Sequence, residues 1–301
     1  MSALVTADEL ATLLTPGEVK VLDVQYNLRG TPGPELYAAA HVPGAPHLDL
    51  DAALAGPLGA RGRHPLPDPD VLQQALRACG VGDDDEVVVY DQATSLASGR
   101  AWWVLRWAGH PQVRVLDGGL AAWRAAGQPT TSEVPSPVPG DITVRPGSVP
   151  VLDAGAAAEM ARQGVLLDAR APERYRGESE PIDRVAGHVP GSVNLPMTDL
   201  LAPDGRFLPP DEVRRRAAAV GVHRDTPWAR RAAPGSRRPS SPWCCTRPAS
   251  TPSRTSGRGV SGSRTRSDPS RPVITGCRCP RTRQGWRRPG RCRRPGRAAP
   301  R

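Results

Sequence analysis

The chain has 301 residues and a formal net charge of +10, but that charge is unevenly placed. Residues 1–227 hold 20 basic and 29 acidic side chains, whereas residues 228–301 hold 20 basic and one acidic, along with five of the six cysteines. No apolar run approaches the ~20 residues of a membrane helix, and the N-terminus lacks the pattern of a signal peptide. A cysteine-poor first part is typical of a reducing compartment, so we expect a cytoplasmic protein without a membrane partner.

Strands and helices alternate along the first half of the chain. Short apolar runs predict buried strands at 19–24, 86–91 and 113–119. Helical patterns follow at 70–78 and 98–109, each ending near a glycine. This alternation predicts an α/β fold, a mainly parallel sheet with helices on both faces. Chemistry in such sheets lies at the carboxyl ends of the strands.

The second half repeats the first. "VLDV" at 21–24 is matched by "LLDA" at 166–169, and "AAHVPGAPHLDL" at 39–50 by "AGHVPGSVNLPM" at 186–197. "GVGDDDEVVVYD" begins to be matched by "GVHRDTP", 141 residues later. The repeat predicts a strand at 165–169, a helix at 210–219 and a turn at each "HVPG". The predicted domains are 1–135 and 151–227, the second incomplete, with a linker at 136–150 and an aberrant, disordered basic tail at 228–301.

These repeated motifs, with "VLDGGLAAWRAAG" at 115–127 and "LLDARAPERYRGESEPIDRVAGHVPGS" at 166–192, resemble the tandem-domain rhodanese-like sulfurtransferases. The resemblance covers about residues 5–227. It implies two rhodanese-like domains, of which the first is non-catalytic. The second supplies a cysteine that takes sulfur from thiosulfate or 3-mercaptopyruvate as a persulfide and passes it to cyanide or a thiol. No cofactor or metal is expected.

The resemblance also assigns donor-binding residues. Arg174 in "DARAPERY" is the expected main ligand of the anionic donor, because a guanidinium fork suits oxyanions. Its expected neighbours in that site are Arg170, Glu180 and Arg184.

Four further residues have structural roles in this interpretation. Asp23 and Asp168 end matching strands and are predicted to fix the following loops by accepting hydrogen bonds. His41 and His188 lie in the turn motif, where we expect them to anchor the turn, since the sequence places no nucleophile–base pair there. Asp91 is the first-domain equivalent of the nucleophile, and a carboxylate cannot form a persulfide.

The offset of 141 places the partner of Asp91 at Ala232, so the nucleophilic cysteine is absent from its expected position. The segment that should resemble "EVVVYD" is "TPWARRA", a pattern from which we expect no buried parallel strand.

A slipped reading frame accounts for this change. Reading the third base of each codon with the first two of the next converts the pair 231–232 to a permitted Cys, within a permitted Cys-Gly-Ser-Gly-Val-Thr. In this shifted frame the codons of residues 243–244 can encode only Val, and those of residues 244–245 can encode only Leu. We therefore interpret residues 228 to about 266 as out-of-frame translation. Family loops with Gly-Ser after the cysteine resemble those of 3-mercaptopyruvate enzymes, so the resemblance favours that donor, although the donor stays open.

Two alternatives remain. The chain could be a catalytically dead scaffold that binds anions or partners. The basic tail could bind nucleic acid electrostatically, although it lacks interleaved aromatic residues or a helical period. The spacing of the tail cysteines does not match zinc-binding motifs. The sequence does not indicate the oligomeric state or the physiological acceptor.

Overall fold

The computed structural model describes residues 2–15, 19–59, 62–183 and 185–223, with the backbone of 228–231 and 243–244. All of them belong to one compact unit, residues 1–250. No helix among these residues is long and apolar enough to cross a membrane.

The first repeat forms a four-stranded sheet in the order β1-β4-β3-β2, and every pair of neighbouring strands is parallel. This confirms the predicted fold class for the first half. The elements are β1 (Leu4–Val5), α1 (Ala7–Leu14), β2 (Val19–Asp23), α2 (Gly33–Ala39), α3 (Leu50–Ala53), α4 (Pro69–Ala78), β3 (Glu86–Tyr90), α5 (Leu96–Trp107), β4 (Val113–Leu116) and α6 (Gly119–Ala125).

Both faces of this sheet are covered, because successive side chains of a strand point to opposite faces. Val87 and Val89 of β3 join one buried cluster, which α3, α4 and α5 complete. Val88 and Tyr90 join a second cluster with α1 and α6. A strand buried on both sides must be apolar throughout, which explains the unbroken "VVVY" of β3.

The segment predicted as a linker packs against the first domain over part of its length. Ile142 is 1% exposed and lies in the first cluster. The backbone N–H of Gly140 donates to Arg77 O at 2.8 Å, and that of Ile142 donates to Val81 O at 3.2 Å. The proline content predicted a linker, but Ile142 supplies apolar surface that is buried in the core of the first domain.

The second repeat forms a five-stranded sheet in the order β5-β9-β8-β6-β7. Strand β6 pairs in parallel with both β7 and β8, while β9 is antiparallel to its neighbours. The sheet is therefore mixed, with parallel pairs on the β8-β6-β7 side and antiparallel pairs on the β5-β9-β8 side. Its elements are β5 (Val151–Leu152), α7 (Ala154–Gln163), β6 (Val165–Asp168), α8 (Pro172–Arg176), β7 (Val193–Asn194), a 3-10 turn (Met197–Leu200), α9 (Pro210–Ala219), β8 (Trp228–Arg231) and β9 (Trp243–Cys244).

Two expectations for the tail are wrong where it is described: "TPWARRA" does supply a parallel strand, at 228–231, and the tail predicted to be disordered holds a second strand at 243–244. Residues 228–231 form β8, in register with β6 from Val165↔Trp228 to Asp168↔Arg231. The physical reason is that a parallel ladder is built from backbone N–H and C=O groups, which every non-proline residue carries. Strand β6 needs a partner on each side, and the sequence of its neighbour only modulates that pairing.

The described core of the second domain is small. Its buried cluster comprises Ala157, Ala161 and Leu166. Helix α9 has no buried residue, whereas its counterpart α4 buries Leu72 and Leu76 completely. Since burial of apolar surface drives folding, the described part of the second domain contributes much less to stability than the first.

Candidate active site

The carboxyl ends of β3 and β8 occupy equivalent places in the two sheets. In the first sheet Asp23 of β2 lies opposite Tyr90, the last residue of β3. In the second sheet Asp168 of β6 lies opposite Arg231, the last residue of β8. The next residues along the chain are Asp91 and Ala232. The side chain expected at the nucleophile position, Ala232, lies outside the described residues.

Asp91 is held in a cradle of hydrogen-bond donors. Its carboxylate is 1% exposed and accepts the backbone N–H groups of four residues at 3.0–3.2 Å, together with the Ser98 hydroxyl at 3.3 Å. Those N–H groups belong to Ala93, Ser95, Ala97 and Ser98, around the first turn of α5. Burial raises the pKa of Asp91, and the hydrogen bonds from the Ser98, Ser95, Ala97 and Ala93 backbone oppose that rise. The N–H groups of the loop favour a negative charge at the end of β3, but burial outweighs them in the pKa of Asp91.

The "DGG" sequence before α6 closes this loop from the other side. The N–H of Leu120 donates to Asp91 O at 2.8 Å, and that of Ala121 donates to Gln92 O at 2.9 Å. A Cβ on Gly119 would meet Asp91 O at 2.4 Å, and its φ of +59° is in the left-handed region. Glycine is therefore required there by both space and backbone conformation.

Asp23 and Asp168 are buried acceptors at the ends of β2 and β6. Asp23 accepts the backbone N–H and side-chain Nε2–H of Gln25, each at 2.9 Å, and lies 3.0 Å from His47 Nδ1. Asp168 accepts the backbone N–H of Arg170 at 3.0 Å and its Nη2–H at 2.6 Å. Both contact sets tie a carboxylate to the loop that follows its strand.

The two turn histidines make matching contacts with a tyrosine, although His41 is buried and His188 is exposed. His41 Nδ1 lies 2.8 Å from Tyr37 O, and the rings stack at 3.9 Å. His188 Nδ1 lies 2.7 Å from Tyr175 O, with a ring separation of 3.8 Å. These contacts tie each turn to the helix before it.

Arg170 is buried by its own contacts. Its guanidinium donates to both Asp168 oxygens, to Gly187 O at 2.7 Å and to Glu180 Oε2 at 3.4 Å. Burial acts to lower its pKa, but the Asp168 hydrogen bonds and nearby carboxylates raise it overall. With its nitrogens occupied, Arg170 supports the loop rather than offering a free fork to a ligand.

Arg174 and Glu180 lie together, as the resemblance implied, but with an additional carboxylate. Arg174 Nη2 donates to Glu180 Oε1 at 2.8 Å and to Asp183 Oδ2 at 3.2 Å, while its Nε donates to Glu180 Oε2 at 3.2 Å. No hydrogen bond to Arg174 Nη1 is found among the described residues. Sequence reasoning missed Asp183, and Arg184, the third predicted neighbour, lies outside the described residues.

Glu180 is set up to remain ionised. Burial acts to raise its pKa, but the backbone N–H groups of Asp183 and Ile182 and the Arg174 guanidinium lower it below the ordinary value. The two N–H groups donate to Oε1 at 2.9 and 3.0 Å. This carboxylate therefore holds Arg174 in one orientation at neutral pH.

The first domain contributes groups near this cluster that the sequence did not indicate. Arg29 donates to Pro181 O, and Arg63 Nη2 donates to Ile182 O at 3.4 Å. Beside Arg63, His64 Nε2 lies 3.0 Å from Asp51 Oδ1. No motif or repeat marks these positions, so only the packing of the two domains brings them to the site.

The two sheets define a tandem α/β protein, and the described part of the second repeat holds a cluster of buried arginines and carboxylates around Arg174. The first repeat matches the family described as "Rhodanese-like domain" over residues 6–126. The crystal structure of SseA from Escherichia coli, described as a 3-mercaptopyruvate sulfotransferase with the rhodanese fold, has a TM-score of 0.70 and 26% identity. The match covers 80% of this chain and 91% of SseA.

Curated relatives extend the match at higher identity. A Pseudomonas aeruginosa protein named "Probable 3-mercaptopyruvate sulfurtransferase" is 44% identical over 223 residues, 72% of this chain and 78% of that protein. SseB of Mycobacterium tuberculosis, provisionally named a thiosulfate sulfurtransferase, is 46% identical over 213 residues, 68% and 74% of the two chains. This chain belongs to the rhodanese-like sulfurtransferase family, whose fold supports sulfur transfer.

Proposed function

We propose that the gene encodes a sulfurtransferase that uses a cysteine at position 232, and that the 301-residue chain lacks this nucleophile and is inactive. The observation that carries the proposal is the register of the two sheets, which gives residues 91 and 232 the same place after paired strands. The donor is thiosulfate or 3-mercaptopyruvate, the two compounds that appear in the names of its relatives. The acceptor is a thiophile such as cyanide or a thiol.

The Asp91 cradle suggests how such a cysteine would work. Four backbone N–H groups around one buried anion would favour a thiolate over a thiol in an equivalent second-domain loop. The thiolate attacks the outer sulfur of thiosulfate or the single sulfur of 3-mercaptopyruvate, and the bond from that sulfur to the rest of the donor breaks. Sulfite leaves from thiosulfate, or pyruvate after protonation from 3-mercaptopyruvate. The acceptor then attacks the persulfide, takes its outer sulfur and regenerates the thiolate.

Arg174 is the residue we assign to the donor anion. Its guanidinium is oriented by Glu180 and Asp183, and its Nη1 is not engaged by any described residue. A fixed guanidinium with one edge available is suited to a carboxylate or a sulfonate-like group. Arg170 is assigned a supporting role, because Asp168 and Gly187 occupy it.

We further propose that the protein works in the cytoplasm, on small-molecule donor and acceptor. Cys79, the only cysteine before residue 227, is a buried free thiol. This fits a reducing compartment, in which a persulfide-forming cysteine would also stay reduced.

The experiment compares three proteins in a cyanide-dependent thiocyanate assay with each donor. They are the 301-residue chain, a chain with the reading frame restored from codon 228, and the restored chain with its new cysteine changed to serine. We expect turnover from the restored chain alone. Turnover by the 301-residue chain would overturn its predicted inactivity, and an inactive but folded restored chain would favour the dead-scaffold alternative.

A further inference from the structure

The second domain carries an insertion that the first domain lacks. The stacked tyrosine and histidine are four residues apart in the first domain, Tyr37 and His41, but thirteen apart in the second, Tyr175 and His188. Their ring geometry is nearly the same, with separations of 3.9 and 3.8 Å. The extra residues therefore form an insertion in a turn that the two domains share, and the 180–183 segment lies within this insertion.

The 180–183 segment holds the donor-binding arginine on one side. Glu180 and Asp183, at its two ends, both accept hydrogen bonds from Arg174, and both side chains are 5% exposed. Any displacement of the segment would therefore move the carboxylates that orient this guanidinium.

The first domain holds the same segment by its backbone. Its two middle carbonyls, Pro181 O and Ile182 O, accept hydrogen bonds from Arg29 and Arg63. Two buried atoms next to these contacts have no hydrogen-bond partner in the described structure, Arg63 Nε and Asp183 Oδ1. Arg63 thus retains an unused donor beside a segment that retains an unused acceptor.

We propose that Arg63 is a positioning residue for Arg174, acting through the 180–183 segment. The proposal rests on the proposed function, since it takes Arg174 as the donor ligand. The first domain then fixes the orientation of the guanidinium that binds the donor in the second domain, without contacting the donor itself. This gives the non-catalytic domain a specific role in donor affinity.

The test uses the full 301-residue chain, whose lack of a nucleophile allows donor binding to be measured at equilibrium. Thiosulfate and 3-mercaptopyruvate are titrated by calorimetry into the unaltered chain, Arg63→Ala, Arg63→Lys and Arg77→Ala. Arg77 is a matched control, because it donates to Ile142 O and Asp141 O away from the segment. We expect Arg63→Ala to weaken donor binding about threefold or more. Arg63→Lys, which keeps one donor for Ile182 O, should restore most of the affinity, and Arg77→Ala should leave it unchanged.

A double-mutant cycle separates positioning from a general structural effect. In an Arg174→Ala chain the residual donor affinity should be insensitive to Arg63→Ala, because the guanidinium being positioned is gone. Equal effects of Arg63→Ala in both backgrounds, or an equal loss from Arg77→Ala, would overturn the positioning role alone. Donor binding that ignores Arg174→Ala would overturn the donor site, and with it this proposal, as would the absence of donor binding.

Discussion

Arg231 lies opposite Asp168 in the parallel pairing of β6 with β8, at the level where Tyr90 lies opposite Asp23 in the first sheet. The second sheet therefore keeps the backbone position from which the nucleophile would follow, although the sequence of β8 is unlike that of β3. The backbone pairing of a strand can be kept when its side chains change. The set of N–H donors that surrounds Asp91 depends on its sequence and cannot be kept in this way.

Ala232→Cys alone should not restore sulfur transfer. Shifted by 141 residues, the four residues whose N–H groups surround Asp91 correspond to Pro234, Ser236, Arg238 and Pro239. Proline has no N–H, so two of the four donors are missing from the sequence. We expect thiocyanate formation below about 1% of the frame-restored chain, because a loss of ~2–4 kcal/mol of stabilisation per missing donor is typical of oxyanion-type sites. Comparable activity in the two proteins would contradict the need for the cradle.

The sequence predicted the first sheet well because its strands are buried on both faces. The apolar run of β3 is unbroken and that of β2 is interrupted by the exposed Lys20, and the structure confirms both strands within one residue. The short elements β1 and β5 were missed, since two residues carry no periodicity. The prediction excluded strand β8, and this was wrong. The hydrophobic pattern indicates where side chains are buried, but it does not show that the backbone of β6 pairs with a further strand.

The candidate site was predictable in part. The motif "DARAPERY" led to Arg174 as the expected main ligand and to Arg170 as its neighbour. The sequence did not indicate that Asp168 and Gly187 occupy the guanidinium of Arg170. Asp183 was missed although it pairs with Arg174 only nine residues earlier in the chain. Arg29 and Arg63 could not be found, because their contribution depends on how the insertion meets the first domain. Such contacts join residues more than 100 positions apart and leave no local pattern.

Asp91→Asn should destabilise the first domain. The carboxylate accepts five hydrogen bonds, and an amide would turn its NH₂ group toward N–H donors, leaving buried groups unsatisfied. We expect the free energy of unfolding, measured by urea denaturation, to fall by about 1–3 kcal/mol. The exposed Asp84→Asn serves as the control and should change it by less than about 0.5 kcal/mol. Equal effects would mean that the cradle does not depend on a carboxylate.

Tyr90→Phe should also destabilise this domain, through a different group. The Tyr90 hydroxyl accepts the backbone N–H of Val42 at 2.9 Å, and both residues are fully buried. Removing the oxygen leaves that N–H without a partner, at a cost of about 1–3 kcal/mol in the free energy of unfolding. The amide exchange rate of Val42, measured by NMR, should rise more than that of Val88, whose N–H lies in the sheet. Unchanged exchange at Val42 would contradict this assignment.

Glu180→Gln should have a pH-dependent effect on stability. Glu180 has a pKa below its ordinary value of 4.5, so its ionised form is favoured in the folded protein. A carboxyl group whose pKa is lowered on folding stabilises the fold above the ordinary value, and that contribution is lost as pH falls through the folded pKa. At pH 7 the substitution removes charged hydrogen bonds to Arg174, which should lower the free energy of unfolding by about 2 kcal/mol. Gln cannot titrate, so the difference between the two proteins should stay constant from about pH 7 to 5.5 and shrink below pH 4.5.

The control for this titration is Glu178→Gln, which removes the same charge nearby. Glu178 pairs with Arg176, and both side chains are more than half exposed, so solvent screens their interaction. Its substitution should have a much smaller effect at every pH. A difference for Glu180→Gln that does not change between pH 7 and pH 4 would show that the ionised carboxylate is not what holds Arg174. A difference that grows on acidification would reverse the sign of the linkage, and the folded state would then favour the protonated acid.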